Sequence, residues 1–414
     1  MTIPSLVKMA IEPIPSLPDD VNDIRLRTAN IVTEHIIPNE ELLATPGDER
    51  DTFTHDLQNH IREQGLWAPH LPKEYGGMGI GFLHHAYMNE VLAWSFYSNP
   101  LFGVKAPTSG NQKVLVKYGT EEQKKKFLEP TITGDMTSCY SMTEPDNPGS
   151  DPRSLQTTAV QDGDEWVING RKWFTSNSRH ASWALVMCRT EEDDGQGGVN
   201  DKMTQIIVPT DTPGFNIVRS VPVWGVTQQA HGEIVYDNVR VPLENQLGER
   251  GTGHAAAQDR LGAGRVFHCM NCVGQMWRSF DLMVKRAMER KVHGGLLAEK
   301  QFTQGAIADS YMDIQSARLM TLHCAEIIES GANPRTQISA LKVFVPQAMH
   351  RVVDRAIQVH GAMGVTGDTP LWRYYQRART MRIEDGPDEV HRILVAKNIL
   401  KQYDAGKAWD FGIQ

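Results

Sequence analysis

The stretch Glu384-Asp385-Gly386-Pro387-Asp388-Glu389-Val390-His391 places two adjacent carboxylates directly before a Gly-Pro step. A carboxylate on a short loop, aimed away from the helix that follows, can act as a general base; it can equally cap that helix. Proline lacks an N–H and has a fixed φ, so Pro387 suits the first helical position. Asp385 or Gly386 is then the expected N-cap, with Asp388 or Glu389 reaching back as in a capping box. Val390, Ile393, Leu394 and Leu400 carry the helix to about Lys401. Taken alone, the local pattern favours the cap. Asp385, Asp388, Glu389 and His391 also have metal-ligand chemistry, but Asp388 and His391 fall in one helical turn without further ligands, so no metal is expected.

Other chemistries find less support. Cys269 and Cys272 form a C-x-x-C inside a helical pattern with no second pair, and the chain's five cysteines, an odd number, fit a reducing compartment. Gly251-Thr252-Gly253-His254-Ala255-Ala256 matches G-x-G-x-x-A but follows a polar loop instead of a strand, so no dinucleotide reading is made. A P-loop, a serine-hydrolase elbow and H-E-x-x-H are absent. With 42 Lys and Arg against 50 Asp and Glu, net −8, the chain is a poor nucleic-acid binder. Lys124-Lys125-Lys126 reads as a solvated helix face. No segment has the ~20 apolar residues that span a bilayer, and prolines 4, 13, 15 and 18 among aspartates fit neither a secretory nor a transit leader. A cytoplasmic, non-membrane protein is the expectation.

The elements that must position such a base follow from pattern. Residues 1–138 read as an N-terminal α-helical domain, with helices over 52–64, 84–97 and 109–118 and a helix start at Thr120. Residues 139–248 read as an antiparallel β-domain: Glu165–Ile168 and Arg171–Thr175 flank Asn169-Gly170, a strong hairpin signal. Trp183–Cys188, Met203–Val208 and Gly232–Tyr236 add strands, and Glu191–Asp201 reads as a mobile acidic tip. Residues 249–414 are helical again. Val266, Met270, Val273, Trp277, Phe280, Val284 and Ala287 form a narrow apolar seam, as do Ile338, Leu341, Val345, Ala348, Val352 and Val359, with a kink expected at Pro346.

Several segments, in order, resemble the acyl-CoA dehydrogenase family. They are Tyr140-Ser141-Met142-Thr143-Glu144-Pro145 with Gly149-Ser150-Asp151, then Trp173-Phe174-Thr175-Ser176, Arg265, Arg290-Lys291-Val292-His293-Gly294, Gln358-Val359-His360-Gly361, and Glu384 to Val395. The Asp-Gly-Pro-Asp-Glu-Val-His variant is most similar to the branch of mammalian members ten and eleven and their bacterial equivalents. The resemblance implies an α-helical N-terminal domain, an antiparallel β-barrel middle domain and a C-terminal four-helix bundle. It implies FAD, met by Tyr140, Met142, Thr143, Ser150, Trp173 and Thr175, and by Glu389. Arg290, Gln301, Gln358 and Gly361 correspond to groups that hold the diphosphate, in the family from a neighbouring subunit, so a homodimer or homotetramer is implied. Ser150, Arg265 and Gly386 correspond to substrate contacts. His293 stands where the family usually has Phe, and Pro148 sits in a loop one residue longer than in the short-chain enzymes.

Aligned through the following helix, Asp385 falls at the position of the catalytic base, often Glu in the family. Glu384 is the runner-up, and the alternative base position used by some relatives is here Gly264. An Asp reaches about 1.5 Å less far, one C–C bond, and at a free pKa of about 3.9 needs desolvation to work near neutrality. The implied reaction is α,β-dehydrogenation of an acyl-CoA to the trans-2-enoyl-CoA, by α-proton abstraction and β-hydride transfer to flavin, with an electron-transfer flavoprotein as acceptor. Long, branched and hydroxylated acyl groups remain open. A nitroalkane-oxidase-like flavoprotein of the same fold, which also uses an Asp base, is the alternative.

Overall fold

The structure, a computed structural model, describes residues 9, 11–193, 199–226 and 231–408. The chain forms two compact units. One comprises the residues up to Pro72, Gly77–Gly103 and everything from Gly264 on; the other comprises Lys73–Gly76 and Val104–Ala263.

The first unit is helical. Asp19–Ile31, Asp48–Glu63 and Gly81–Leu92 precede the long helices Gln301–Glu329 and Arg335–His360 and the shorter Leu371–Thr380 and Asp388–Asp404. The Asp48–Glu63 helix stops where expected, before Gly65 in the left-handed region at φ 67°. The anticipated seams are buried: Val266, Met270 and Val273 pack with Leu341, Val345, Ala348 and Val352 in one apolar core. The Arg335–His360 helix runs through Pro346 without a break. The last helix, expected to reach about Lys401, runs from Asp388 to Asp404; Ile393 and Leu400 are exposed on it and its buried residues are Asp388 and His391. Among the described residues no helix is long and apolar enough to cross a membrane.

The second unit carries the sheet, whose strands are β1 (Ser138–Ser141), β2 (Thr158–Asp162), β3 (Glu165–Ser176), β4 (Trp183–Asp193), β5 (Val199–Pro209), β6 (Phe215–Ser220), β7 (His231–Pro242) and β8 (Gln246–Leu247). Their order is β6-β7-β3-β2-β4-β5-β8, with β1 alongside β4. Two corrections to the expected antiparallel barrel follow. Among the described residues the sheet is open, its path ending at β6 and β8, and it is mixed, because β1 and β2 both run parallel to β4.

The Asn169-Gly170 hairpin is also overturned. Glu165–Ser176 is one strand, and the hairpin lies between β2 and β3, turning after Asp162 through Gly163 at φ 62°. Asn169 and Gly170 instead mark a register shift against β7, where the Asn169 side chain accepts the Asn238 N–H at 2.8 Å. A Cβ on Gly170 would stand 2.4 Å from Thr157 Oγ1, so glycine is kept there for close packing. The tip expected at Glu191–Asp201 is largely strand, paired out to Asp193 and Val199; its centre, 194–198, lies outside the described residues.

An internal ion pair ties the loop after the first strand to the third strand. Lys172 alternates inward on β3 with no exposure, donating to the Met142 carbonyl at 2.7 Å and to Glu144 Oε1 at 2.9 Å. Glu144 also accepts the N–H groups of Thr157 (2.8 Å) and Gln156 (2.7 Å). Burial alone would raise the Glu144 carboxyl; Lys172 and the two N–H groups overcome it and hold the group down at about 2. Stability from this pair is therefore complete above the unfolded carboxyl value and lost as pH falls from about 4.3 toward 2. Lys172→Met, which strands a buried carboxylate, is expected to cost about 3–5 kcal/mol in urea unfolding at pH 7. A midpoint unchanged from the parent would show the pair to be neutral.

Candidate active site

The loop between Thr380 and Asp388 turns on an unusual backbone. Asp385 lies in the left-handed region at φ 55°, followed by Gly386 at φ 102°. Aspartate is one of the few side chains that visits this region at modest cost. The N-cap expectation is therefore wrong: a capping residue needs extended backbone, and that position belongs to Pro387 at φ −69°, ψ 159°. The helix begins at Asp388, with no side-chain cap. Asp388 does not reach back; its Oδ2 accepts from Arg382 Nε at 2.8 Å and Gln347 Nε2 at 2.9 Å.

Three side chains hold the turn by its carbonyls. Arg265 Nε donates to the Asp385 carbonyl at 2.8 Å. His391 Nε2 meets the same oxygen at 3.1 Å, while its Nδ1 faces Ser339 Oγ at 3.1 Å. The fully buried Lys342 donates to the Met381 carbonyl and, at 3.4 Å, to that of Gly386. A Cβ on Gly386 would stand 2.7 Å from His391 Nε2, so only glycine lets this imidazole close on the turn. Burial first, then the Arg265 charge, push His391 down to about 4 against the pull of the Asp385 carbonyl, so the ring is neutral at pH 7 with Nε2–H donating.

The Asp385 carboxylate is partly exposed, at 23 % of its side-chain surface, with its Oδ2 3.4 Å from His268 Nε2. Glu384, the other candidate, has its Oε1 2.6 Å from Arg377 Nη1. That contact commits the carboxylate to the Leu371–Thr380 helix. The geometry thus favours Asp385 over its neighbour.

The residues expected to meet a flavin fall in separate places. In the strand unit, Thr143 and Trp173 exchange two hydrogen bonds: Trp173 N–H to the Thr143 carbonyl at 3.0 Å, and Thr143 Oγ1 to the Trp173 carbonyl at 2.9 Å. Thr175 Oγ1 contacts Ser141 Oγ at 3.1 Å. Tyr140 lies under the Arg260 guanidinium, 4.0 Å from the ring centre, and its hydroxyl accepts from Gln205. Met142 packs against the Leu155, Met187 and Met203 cluster, and Ser150 is exposed on its loop. Between Lys172 and Thr175 the strand slips register, leaving Phe174 at φ 50° and 44 % exposed. Positive φ at a bulky side chain is costly and recurs at ligand sites.

In the helical unit, Arg290 ends one helix, Gln301 begins the next, and Gln358 and Gly361 close the Arg335–His360 helix. All four are exposed, as is Glu389. Arg290 forms no ion pair among the described residues, and no hydrogen bond among them joins the first two to the last two. Gly361, at φ 67° and ψ −145°, has a conformation closed to other residues and open space where a Cβ would stand. An unpaired guanidinium, exposed amides and an uncovered glycine suit a diphosphate. His293, at φ 46° before Gly294 at φ 80°, forms the turn of a two-stranded ribbon, Lys291–Val292 with Gly295–Leu296.

Sequence pattern alone does not single out Lys172, Lys342, His391 as a clamp, or His268. Two left a trace, because a lysine on an inward strand position or an apolar helix seam requires a buried acceptor.

Comparison with known proteins bears on the family and the fold. Family models match residues 18–135 as "Acyl-CoA dehydrogenase, N-terminal domain", 139–239 as "Acyl-CoA dehydrogenase, middle domain" and 251–400 as "Acyl-CoA dehydrogenase, C-terminal domain". A Mycobacterium tuberculosis protein named "Probable acyl-CoA dehydrogenase FadE2" is 41% identical over 389 residues, 91% of this chain and 94% of that one. The chain belongs to the acyl-CoA dehydrogenase family. Acyl-CoA dehydrogenase family member 11 of Gallus gallus is 35% identical over 391 residues, 91% of this chain, which spans only 50% of that relative's length. The solved structure of a candidate acyl-CoA dehydrogenase from Mycobacterium abscessus, 32% identical, superposes with a TM-score of 0.86 over 93% of this chain and 99% of that one.

The clamp makes a measurable demand on this family member. Unfolded His391 takes its proton near pH 6.5 and the folded ring only near 4, so stability is full above 6.5 and falls as pH drops through that window. Urea midpoints of His391→Gln are expected to lose this dependence, a difference of about 3 kcal/mol over the window. Parallel pH curves for parent and variant would contradict a neutral, donating His391.

Proposed function

We propose that the protein is an FAD-dependent acyl-CoA dehydrogenase in which Asp385 removes the α-proton of an acyl thioester. The observation that carries this reading is the carboxylate itself: it stands clear of its helix on a left-handed turn, with its carbonyl taken by Arg265 and His391. A base held this way enters the reaction already oriented, which removes a large entropic part of the barrier. Arg265, expected as a substrate contact, uses its Nε on the base's backbone; its charge beside the turn also favours the negative charge that develops on the thioester oxygen.

FAD, when bound, would supply the acceptor for the β-hydrogen, which leaves as hydride. Tyr140, Met142, Thr143, Ser150, Trp173 and Thr175 are the proposed contacts in the strand unit. Arg290, Gln301, Gln358, Gly361 and Glu389 are those in the helical unit, with Ser150 and Gly386 also meeting substrate. An electron-transfer flavoprotein is the proposed acceptor. A homodimer or homotetramer is proposed because the Gln301–Glu329 helix leaves Phe302, Met312 and Leu319 exposed on one side, an apolar surface suited to a second copy.

The test is anaerobic titration of the flavin-loaded protein with straight-chain, branched and hydroxylated acyl-CoA thioesters, following the visible flavin band. Asp385→Asn is expected to keep its flavin and bind acyl-CoA, yet reduce about a thousandfold more slowly. Reduction of that variant at the parent's rate, with Glu384→Gln inactive, would move the base to Glu384. Bleaching by a nitroalkane and by no acyl-CoA would replace the reaction altogether.

A further inference from the structure

Glu384 and Asp385 are joined by two intervening side chains. Glu384 Oε1 pairs with Arg377 Nη1 at 2.6 Å. Arg377 Nη2 lies 3.3 Å from His268 Nδ1. His268 Nε2 lies 3.4 Å from Asp385 Oδ2. The chain of contacts uses three elements: the Gly253–Glu289 helix for His268, the Leu371–Thr380 helix for Arg377, and the turn itself for the two carboxylates.

Arginine has only donors, so the nitrogen facing it must present a lone pair. His268 Nδ1 is therefore the acceptor, and a neutral ring carries its proton on Nε2, toward Asp385. We propose that His268 is a positioning residue for the base: Arg377 fixes its tautomer, and the resulting Nε2–H holds the Asp385 carboxylate in the rotamer that takes the α-proton. This rests on the reading of Asp385 as the base. The 3.4 Å approach is longer than a finished hydrogen bond, as catalytic contacts often are before substrate arrives.

Neutrality is part of the device. An imidazolium would turn a second N–H toward Arg377 and would pair with Asp385 strongly enough to blunt its basicity. The groups facing the ring are Asp385, Arg377, Glu384 and Lys342; burial is the largest influence and lowers the pKa of His268, with the two cations adding to it and the two carboxylates opposing. Glu384, unsuited as the base, acts here by balancing Arg377, so that the cation can fix the imidazole without drawing Asp385 away.

Three variants separate positioning from bulk packing. Glutamine can place an amide N–H near the position of Nε2, asparagine only near that of Nδ1, and leucine offers none. On the flavin-loaded protein, with the acyl-CoA that reduces the parent fastest, His268→Asn and His268→Leu are expected to lower the limiting rate of reduction about a hundredfold. Acyl-CoA affinity should stay within about threefold, and His268→Gln should recover at least about a tenth of the parent rate. Without the donor, the pH at which the base ionises should rise by about one unit in the two slow variants. Independently of turnover, nitrogen NMR of histidine-labelled protein at pH 7 should show His268 as the Nε2–H tautomer, with His268→Gln identifying its signal. An imidazolium or an Nδ1–H ring would overturn the proposal, as would equal rates in the Gln and Leu variants or parent rates in all three. If no acyl-CoA bleaches the parent, the functional reading falls and the proposal with it. If the parent reacts, Asp385→Asn does not, and the His268 variants match the parent, this proposal alone falls.

Discussion

The left-handed backbone at Asp385 is the constraint on which the rest of the helical unit's chemistry depends. For a non-glycine residue this conformation costs about 1–2 kcal/mol, and it persists because donors converge on the turn. Arg265 and His391 share the Asp385 carbonyl, and Lys342 spans the carbonyls of Met381 and Gly386. Hydrogen bonds from charged donors contribute about 1.5–3 kcal/mol each, enough to offset the strain. Each donor comes from a different helix, so the carboxylate's position reports the packing of the whole unit. Gly386 is the corollary: the approach of His391 leaves no space for a side chain there.

The strand unit solves a parallel problem by a different route. Its proposed flavin contacts lie on β1, its following loop and the end of β3, where the pairing of β3 with β7 slips register. Glu144 and Lys172 join these segments by a buried ion pair whose carboxylate accepts from Gln156, Thr157 and Lys172, while Lys172 also donates to the Met142 carbonyl. A buried pair of this kind is seldom a net source of stability compared with apolar packing, but breaking it is expensive.

Much of this was legible in the chain, for reasons that can be named. The seams around Val273 and Val345 were readable because a bundle helix must repeat its apolar face every three or four residues. The site at Asp385 was readable only through ordered resemblance, because loop dihedrals leave no periodic mark. Local rules misled where tertiary contacts took over the same residues. Asn169-Gly170 has the composition of a tight turn, yet Thr157 and Asn238 claim it for a register shift inside a strand. Asp385-Gly386-Pro387 has the composition of a helix cap, yet Arg265 and His391 hold it outside the helix. Barrel closure came with the resemblance, and the sheet, open among the described residues and mixed, shows how little strand order can be inferred from alternation.

Proton removal, separate from any electron transfer, is the most direct measure of the central claim that Asp385 is the base. Incubating the flavin-loaded protein anaerobically in D2O with a substrate acyl-CoA and reading deuterium at C2 by proton NMR isolates that step. The account predicts label at C2 with the parent and with Glu384→Gln, and none above background with Asp385→Asn. Label appearing at the parent's rate in Asp385→Asn would contradict it.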